Sequence, residues 1–161
     1  MKLKGAFEPG GILALDPGPT SSGWCLLVTE SGRPVVVATG EVASTSSALA
    51  ALVDAAAPVR MAVEVVRGYL RGTFAAASLF ATAHVAGRIE QMGVGRGLGC
   101  SCLTASEWRK ALIGKGASSD AAIKSGLAAY GFLPAWATNA HERDAAGLGL
   151  AAILLAGGQL A

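Results

Sequence analysis

Charge is scarce in this chain. Its 13 Lys and Arg and 11 Asp and Glu leave a formal net charge of only +2 over 161 residues. Bulk electrostatics therefore argue weakly for a polyanionic partner, and any such case rests on where the charges fall. Cysteine is also rare. Cys25, Cys100 and Cys102 are too few and odd in number for a disulfide framework, and the Cys-x-Cys pair has no second pair to complete a zinc site. All three read as packed thiols. No apolar run approaches the ~20 residues that span a bilayer. The opening Met1-Lys2-Leu3-Lys4-Gly5-Ala6-Phe7-Glu8-Pro9 has basic residues but no apolar segment or cleavage pattern after them. A cytoplasmic protein with no membrane association is expected. There is no solenoid period, heptad or low-complexity tail. Length and a 52% hydrophobic content suit one domain over residues 1–161.

What the chain does have is an acid at the end of an apolar run. Gly10 to Leu15 reads as a buried strand, and Asp16 follows it. Pro17 cannot donate to a sheet ladder and Gly18 permits positive φ, so the chain must leave the sheet there. On this stretch alone Asp16 could equally be a turn former. Gly23–Thr29 and Pro34–Gly40 read as the next two strands of an antiparallel meander, with Glu30-Ser31-Gly32-Arg33 as the turn. The period then becomes helical over Ser46–Ala57, with Leu49, Leu52 and Val53 on one face and Pro58 as the stop. Val59–Val66 is nearly all apolar, the pattern of a central parallel strand, and its one acid is Glu64.

A loop with Arg67, Tyr69 and Arg71 precedes a long helix from about Phe74 to Met92, and Gly93–Gly99 reads as a flexible turn. Cys100–Leu103 is a short fifth strand, and Thr104-Ala105-Ser106-Glu107 has the form of a capping box. The helix it opens carries Trp108, Arg109 and Lys110. Another helix starts at Ser118 or Ser119 and runs through Tyr130, and a last one, capped by Asn139, runs to about Ala156. This order predicts an α/β fold: a five-stranded mixed sheet, its first three strands antiparallel, with helices on both faces. The two later strands then run parallel to the first, which brings Asp16 and Glu64 to the same sheet edge. His141 and Asp144, at i and i+3, share one face of the last helix.

Carboxylates are hard oxygen ligands that suit Mg²⁺, and two such ions about 4 Å apart can activate a water and stabilise a departing alkoxide. Taken separately, Asp144 could be a helix acid near the positive end of the dipole. Glu64 has no such bland account, because a lone acid in an apolar strand is costly without a partner or a cation. His141 alone reads as a surface residue near a helix start, and His84 as a packed or interface residue of the long helix.

Ile12-Leu13-Ala14-Leu15-Asp16-Pro17-Gly18, Met61-Ala62-Val63-Glu64 and His141-Glu142-Arg143-Asp144-Ala145-Ala146 resemble the three acidic motifs of RuvC-type Holliday junction resolvases of the RNase H-like superfamily. Trp108-Arg109-Lys110 with Gly114-Lys115-Gly116 is similar to the basic segment before the last motif, especially in phage members. The resemblance runs through nearly the whole chain in order. It implies an RNase H-like fold, a homodimer through the helix around 74–92, and cleavage of four-way DNA junctions leaving 5′-phosphates with two Mg²⁺ or Mn²⁺ ions. By position, Asp16, Glu64 and Asp144 would be metal ligands. His141 stands where many members have a further acid, and would either ligate or act in proton transfer. Arg67, Tyr69 and Arg71 would enter the junction, and Arg109, Lys110 and Lys115 would meet phosphates.

Rival readings are a broader branched-DNA nuclease, a RuvC-like ribosomal RNA processing nuclease, and a non-catalytic junction-binding module. An actin-like or sugar-kinase ATP fold also shares the Asp16-Pro17-Gly18 loop. That last reading needs two domains around a nucleotide, so no nucleotide cofactor is expected. Imidazole is a softer ligand than carboxylate and favours Mn²⁺ over Mg²⁺. Faster cleavage in Mn²⁺ than in Mg²⁺ is expected if His141 is a direct ligand; equal or slower rates in Mn²⁺ would count against that role.

Overall fold

The computed structural model describes residues 10–66, 76–114, 116, 119–132 and 139–157. The elements in chain order are β1 (Ile12–Asp16), β2 (Ser21–Glu30), β3 (Arg33–Ala43), α1 (Ser46–Ala56), β4 (Arg60–Glu64), α2 (Ala76–Gly95), β5 (Gly99–Leu103), α3 (Ala105–Ile113), α4 (Asp120–Ala129) and α5 (Ala140–Leu155). The sheet order is β3-β2-β1-β4-β5. β1–β2 and β2–β3 pair antiparallel, whereas β1–β4 and β4–β5 pair parallel. This is the mixed sheet that the sequence predicts.

Side chains alternate across the sheet, and the alternation sorts the core into two layers. Leu13 and Leu15 of β1, Trp24 and Leu26 of β2, and Met61 and Val63 of β4 pack under α1 and α2. Ile12 and Ala14, Cys25 and Leu27, and Ala62 point the other way, into a core shared with α3, α4 and α5. Residues on this second face are small at the centre. That is what lets α5 lie close against the sheet.

α5 is buried on nearly all sides from Glu142 to Ile153, because the sheet lies under it and α3 and α4 flank it. Its Ala-Ala-Gly-Leu-Gly-Leu-Ala-Ala-Ile run has no polar stripe for the same reason. Two glycines mark its closest approaches. A Cβ on Gly149 would come within 2.4 Å of Leu27 Cδ1 and 3.0 Å of the Ala14 Cβ, and one on Gly147 within 2.8 Å of Trp108 Cζ3.

Differences from the sequence reading are confined to element ends. β3 runs three residues past Gly40 to Ala43, and β2 starts at Ser21, so the hairpin is longer than its apolar stretch. Backbone pairing with a neighbour continues through polar residues as readily as apolar ones, and the apolar pattern does not mark where it stops. The register shifts between Leu26 and Leu27, where β3 carries one extra residue. Pro34 is tolerated because β3 is an edge strand. α2 continues through Gly93 to Gly95 before Gly97 turns with φ 71°, so the expected flexible turn is in part helix. The expected start of that helix at Phe74 lies outside the described residues. No helix among the described residues is long and apolar enough to cross a membrane.

Replacing Gly149 by Ala tests the close seating of α5. Overpacking costs about 1–3 kcal/mol and the better helix propensity of Ala returns about 1 kcal/mol. A net loss of up to about 2 kcal/mol in urea unfolding is the expected outcome.

Candidate active site

Asp16 ends β1 and Glu64 ends β4. The two strands run parallel with Leu15 beside Val63, so one further step sets Asp16 beside Glu64. Neighbouring strands lie about 4.8 Å apart. Asp16 shares the sheet face of Ile12 and Ala14, and Glu64 shares that of Ala62, which is the face covered by α5. Both acids therefore emerge under the start of that helix.

The start of α5 is fixed by Asn139. Its Oδ1 accepts from the Glu142 backbone N–H at 2.8 Å, and its Nδ2 donates to Glu142 Oε1 at 3.0 Å. Thr39 of β3 donates to Glu142 Oε2 at 2.8 Å, which ties the helix end to the far side of the sheet. Gly23 lies opposite Asp16 on β2. A Cβ there would come within 2.4 Å of the His141 carbonyl, so the absence of a side chain lets the first turn of α5 rest directly on the strand. In that position His141 Nδ1 is 2.7 Å from Asp16 Oδ2.

Asp144 follows one turn later. Arg143 Nε and Nη2 each lie 3.2 Å from its Oδ1, and Arg109 Nη2 of α3 lies 3.6 Å from its Oδ2. Arg143, almost wholly buried, also forks onto Asp120 at the start of α4. Glu64 accepts a hydrogen bond of 2.7 Å from the indole N–H of Trp108. The Arg109 guanidinium sits 5.1 Å from the centre of the Trp108 ring.

The loop behind Asp16 is held by hydroxyls. Ser44 Oγ donates to the Gly18 carbonyl at 2.8 Å and lies 2.8 Å from Ser22 Oγ. The Ser44 backbone N–H donates to the Thr20 carbonyl at 2.9 Å, and Arg88 of α2 donates to the Ser44 carbonyl, also at 2.9 Å.

Burial of negative charge dominates the electrostatics. Desolvation raises Asp16 above the ordinary carboxylate range, against the hydrogen bond and charge of His141, and the charge of Asp144 raises it further. Glu64 is pushed up to about 7 by burial and then by the charge of Asp16, against the Trp108 hydrogen bond and Arg109. Asp144 is raised by burial, with Arg143 and Arg109 opposing. His141 is raised chiefly by its hydrogen bond to Asp16. The charge of Asp144 bears on Asp16 and Glu64 and that of Asp16 on Glu64, and the cationic neighbours compensate the acids only in part. Among the described residues, no three His, Cys, Asp or Glu side chains converge closely enough to enclose an ion as they stand. Asp16 is turned to His141, Glu64 to Trp108, and Asp144 to the two arginines.

The four residues singled out from the sequence as a chemical set, Asp16, Glu64, His141 and Asp144, thus come to one edge of the sheet. Of the basic residues, Arg109 faces the acids, while Lys110 is exposed on α3. Arg67, Tyr69, Arg71 and Lys115 lie outside the described residues. Three residues that help build this arrangement had no part in it assigned from the sequence: Gly23, Trp108 and Arg143. Gly23 interrupts a strand, a known sign of close backbone approach. Trp108 sits in the first turn after a capping box, where a large apolar residue packs inward. Arg143 stands next to Asp144 in sequence, but its joint hold on Asp120, 23 residues away, has no sequence signal.

A five-stranded sheet in this order, covered by helices on both faces and with acids at the ends of its two central parallel strands, is the RNase H-like architecture. Within it, the chain has the fold of the RuvC-type Holliday junction resolvases. It is similar to Thermus thermophilus RuvC, with a TM-score of 0.72 over 91% of this chain and 95% of that one at 16% identity. It is equally similar to T. thermophilus RuvC in complex with Holliday junction substrate, with a TM-score of 0.72 over 91% and 94% of the two chains at 17% identity. The yeast mitochondrial Holliday junction resolvase Ydc2 gives 0.56 over 90% of this chain and 78% of that one at 12% identity. At such identities the likeness is one of fold. No protein-family model and no curated protein sequence matches the chain.

All four site groups hold their protons more tightly when folded. Each therefore adds stability below its ordinary pKa, and that stability is lost as pH rises through the folded value. For Glu64 the window runs from 4.5 to about 7. In EDTA, the melting temperature is expected to fall between pH 5 and pH 8, and Glu64→Gln to melt higher than wild type at pH 8. A wild-type melting temperature that rises across this window would contradict the electrostatics described.

Proposed function

We propose that the protein is a metal-dependent endonuclease that cuts phosphodiester bonds in four-way DNA junctions and related branched DNA, acting as a homodimer. The observation that carries this reading is the gathering of Asp16, Glu64 and Asp144, with His141, at one sheet edge, where burial raises all three acids and the charge of neighbouring acids raises Asp16 and Glu64 further. Buried carboxylates that repel one another are the natural seat of a divalent cation. Their all-oxygen chemistry suits Mg²⁺, and the imidazole adds affinity for Mn²⁺. Bound there, a pair of such ions would supply an activated water and charge stabilisation of the leaving oxygen.

The chain's own residues have separable tasks in this reading. Asp16 and Glu64, on rigid strand ends, offer ligand oxygens from the floor of the site. Asp144 offers another from α5 and would exchange its contact with Arg109 for the cation. Arg109 is then free to meet a phosphate, the role its place in the sequence suggests. His141 uses Nδ1 to hold Asp16 and keeps Nε2 to ligate or to carry a proton.

A four-way junction has two-fold character, and paired cuts need two sites related by symmetry. On α2, Phe80 is 72% exposed and Val94 61% exposed. Ala83 and Gly87 lie between them at helical spacing, a surface suited to close contact with a second copy.

A synthetic four-way junction and a linear duplex, incubated with Mg²⁺ or Mn²⁺, test the proposal. Paired symmetric nicks on the junction are expected from wild type. Asp16→Asn and Asp144→Asn should lower the rate at least about a hundredfold while binding the junction normally in Ca²⁺. Failure of wild type to cut any branched DNA would overturn the reading and direct attention to structured RNA.

A further inference from the structure

The geometry points to Trp108 as a positioning residue for Glu64: its indole N–H fixes Oε2 and leaves Oε1 as the oxygen offered to a cation. The inference rests on the metal-site reading above and extends it to a residue outside the acidic set.

Three observations converge on Trp108. Its Nε1 donates to Glu64 Oε2 at 2.7 Å, short for a bond from nitrogen and typical of a charged acceptor. Among the described residues no other side chain donates to Glu64. The ring is fully buried and bears on Gly147, where a Cβ would come within 2.8 Å of Cζ3 and 3.4 Å of Cε3. Gly147 lies one turn beyond Asp144 on the same face of α5. A single rigid side chain therefore spans from the acid on β4 to the helix that carries the other acid and the imidazole.

The indentation at Gly147 also fixes how the ring can turn. An indole has two side-chain torsions and one donor, and with its six-membered ring seated against α5 its N–H has one direction left. The helix bearing it has a closed cap of its own. Thr104 caps α3, and Glu107 Oε2 accepts from the Thr104 backbone N–H at 2.7 Å, so the first turn is closed on itself. Leu103 just before the cap and Trp108 in the first turn both pack into the core on the α5 side, the arrangement of a hydrophobic staple.

An indole N–H is a donor only. It can hold a carboxylate oxygen but cannot accept from a protonated one or compete for the metal. Trp24 gives the contrast within the same molecule: its Nε1 is buried with no hydrogen-bond partner among the described residues. Groups that orient metal ligands from behind typically change affinity or activity by about 10–100-fold when removed.

The test is Mn²⁺ binding to the DNA-free protein, followed by the electron paramagnetic resonance of the free ion. Trp108→Phe keeps a ring against Gly147 and deletes the donor. Its affinity for Mn²⁺ is expected to fall about tenfold, with the KM for a four-way junction unchanged at saturating Mn²⁺. Affinity within twofold of wild type would overturn the positioning role and leave the metal site intact. Wild type that binds no Mn²⁺ would overturn the metal reading itself. A second measurement covers a variant that fails to fold. In wild type, the Trp108 indole N–H resonance should shift on titration with Mg²⁺, and in Glu64→Gln it should not. A resonance that stays in place in wild type would overturn the proposal.

Discussion

Parallel pairing of β1 with β4 is the constraint from which the site follows. Two strands in parallel register end side by side, and when each ends in an acid the two carboxylates are neighbours whatever else the chain does. Like charges so close, under a helix that excludes water, are costly to ionise together. Everything nearby answers that cost. His141 engages Asp16, Trp108 engages Glu64, and Arg143 and Arg109 share Asp144. These contacts offset in part a cost whose larger share is burial, and all three acids stay raised above their ordinary range.

Close seating of α5 depends on small residues in both partners. Ala14, Ala62 and Cys25 leave the centre of the sheet shallow on one face, Gly149 removes the matching bulk from the helix, and Gly147 does the same towards Trp108 of α3. At its N-terminal end the same device recurs with Gly23 beneath His141. The helix that presents half of the site is thus placed by the absence of side chains as much as by their presence. A methyl group at Gly23 or Gly149 would press the helix away from the strands and carry the imidazole and Asp144 with it.

The sheet was legible in the sequence because burial writes itself into composition: β1 and β4 are nearly all apolar, and the first acid in each marks where the strand leaves the core. The helix starts were legible because caps are local, as at Thr104 and Asn139. The site was legible as a set of acids and an imidazole. What could not be read is the partner of each side chain. Glu64 and Trp108 are 44 residues apart, and Asp16 and His141 are 125 apart. Such contacts depend on how far each helix is slid and turned on the sheet. Arg109 illustrates the limit: its charge suggests a phosphate, and only the phase of α3 reveals that it faces Asp144.

The hydroxyl network behind Asp16 has a consequence for timing. Ser44 ties Gly18 by its side chain and Thr20 by its backbone, and Arg88 holds Ser44 from α2. A loop pinned at several points loses its conformational freedom once, when the chain folds, and has little left to lose on meeting a ligand. In the proposed function the first acid would therefore already be in place at encounter, and the adjustments that remain would belong to the side chains on α3 and α5.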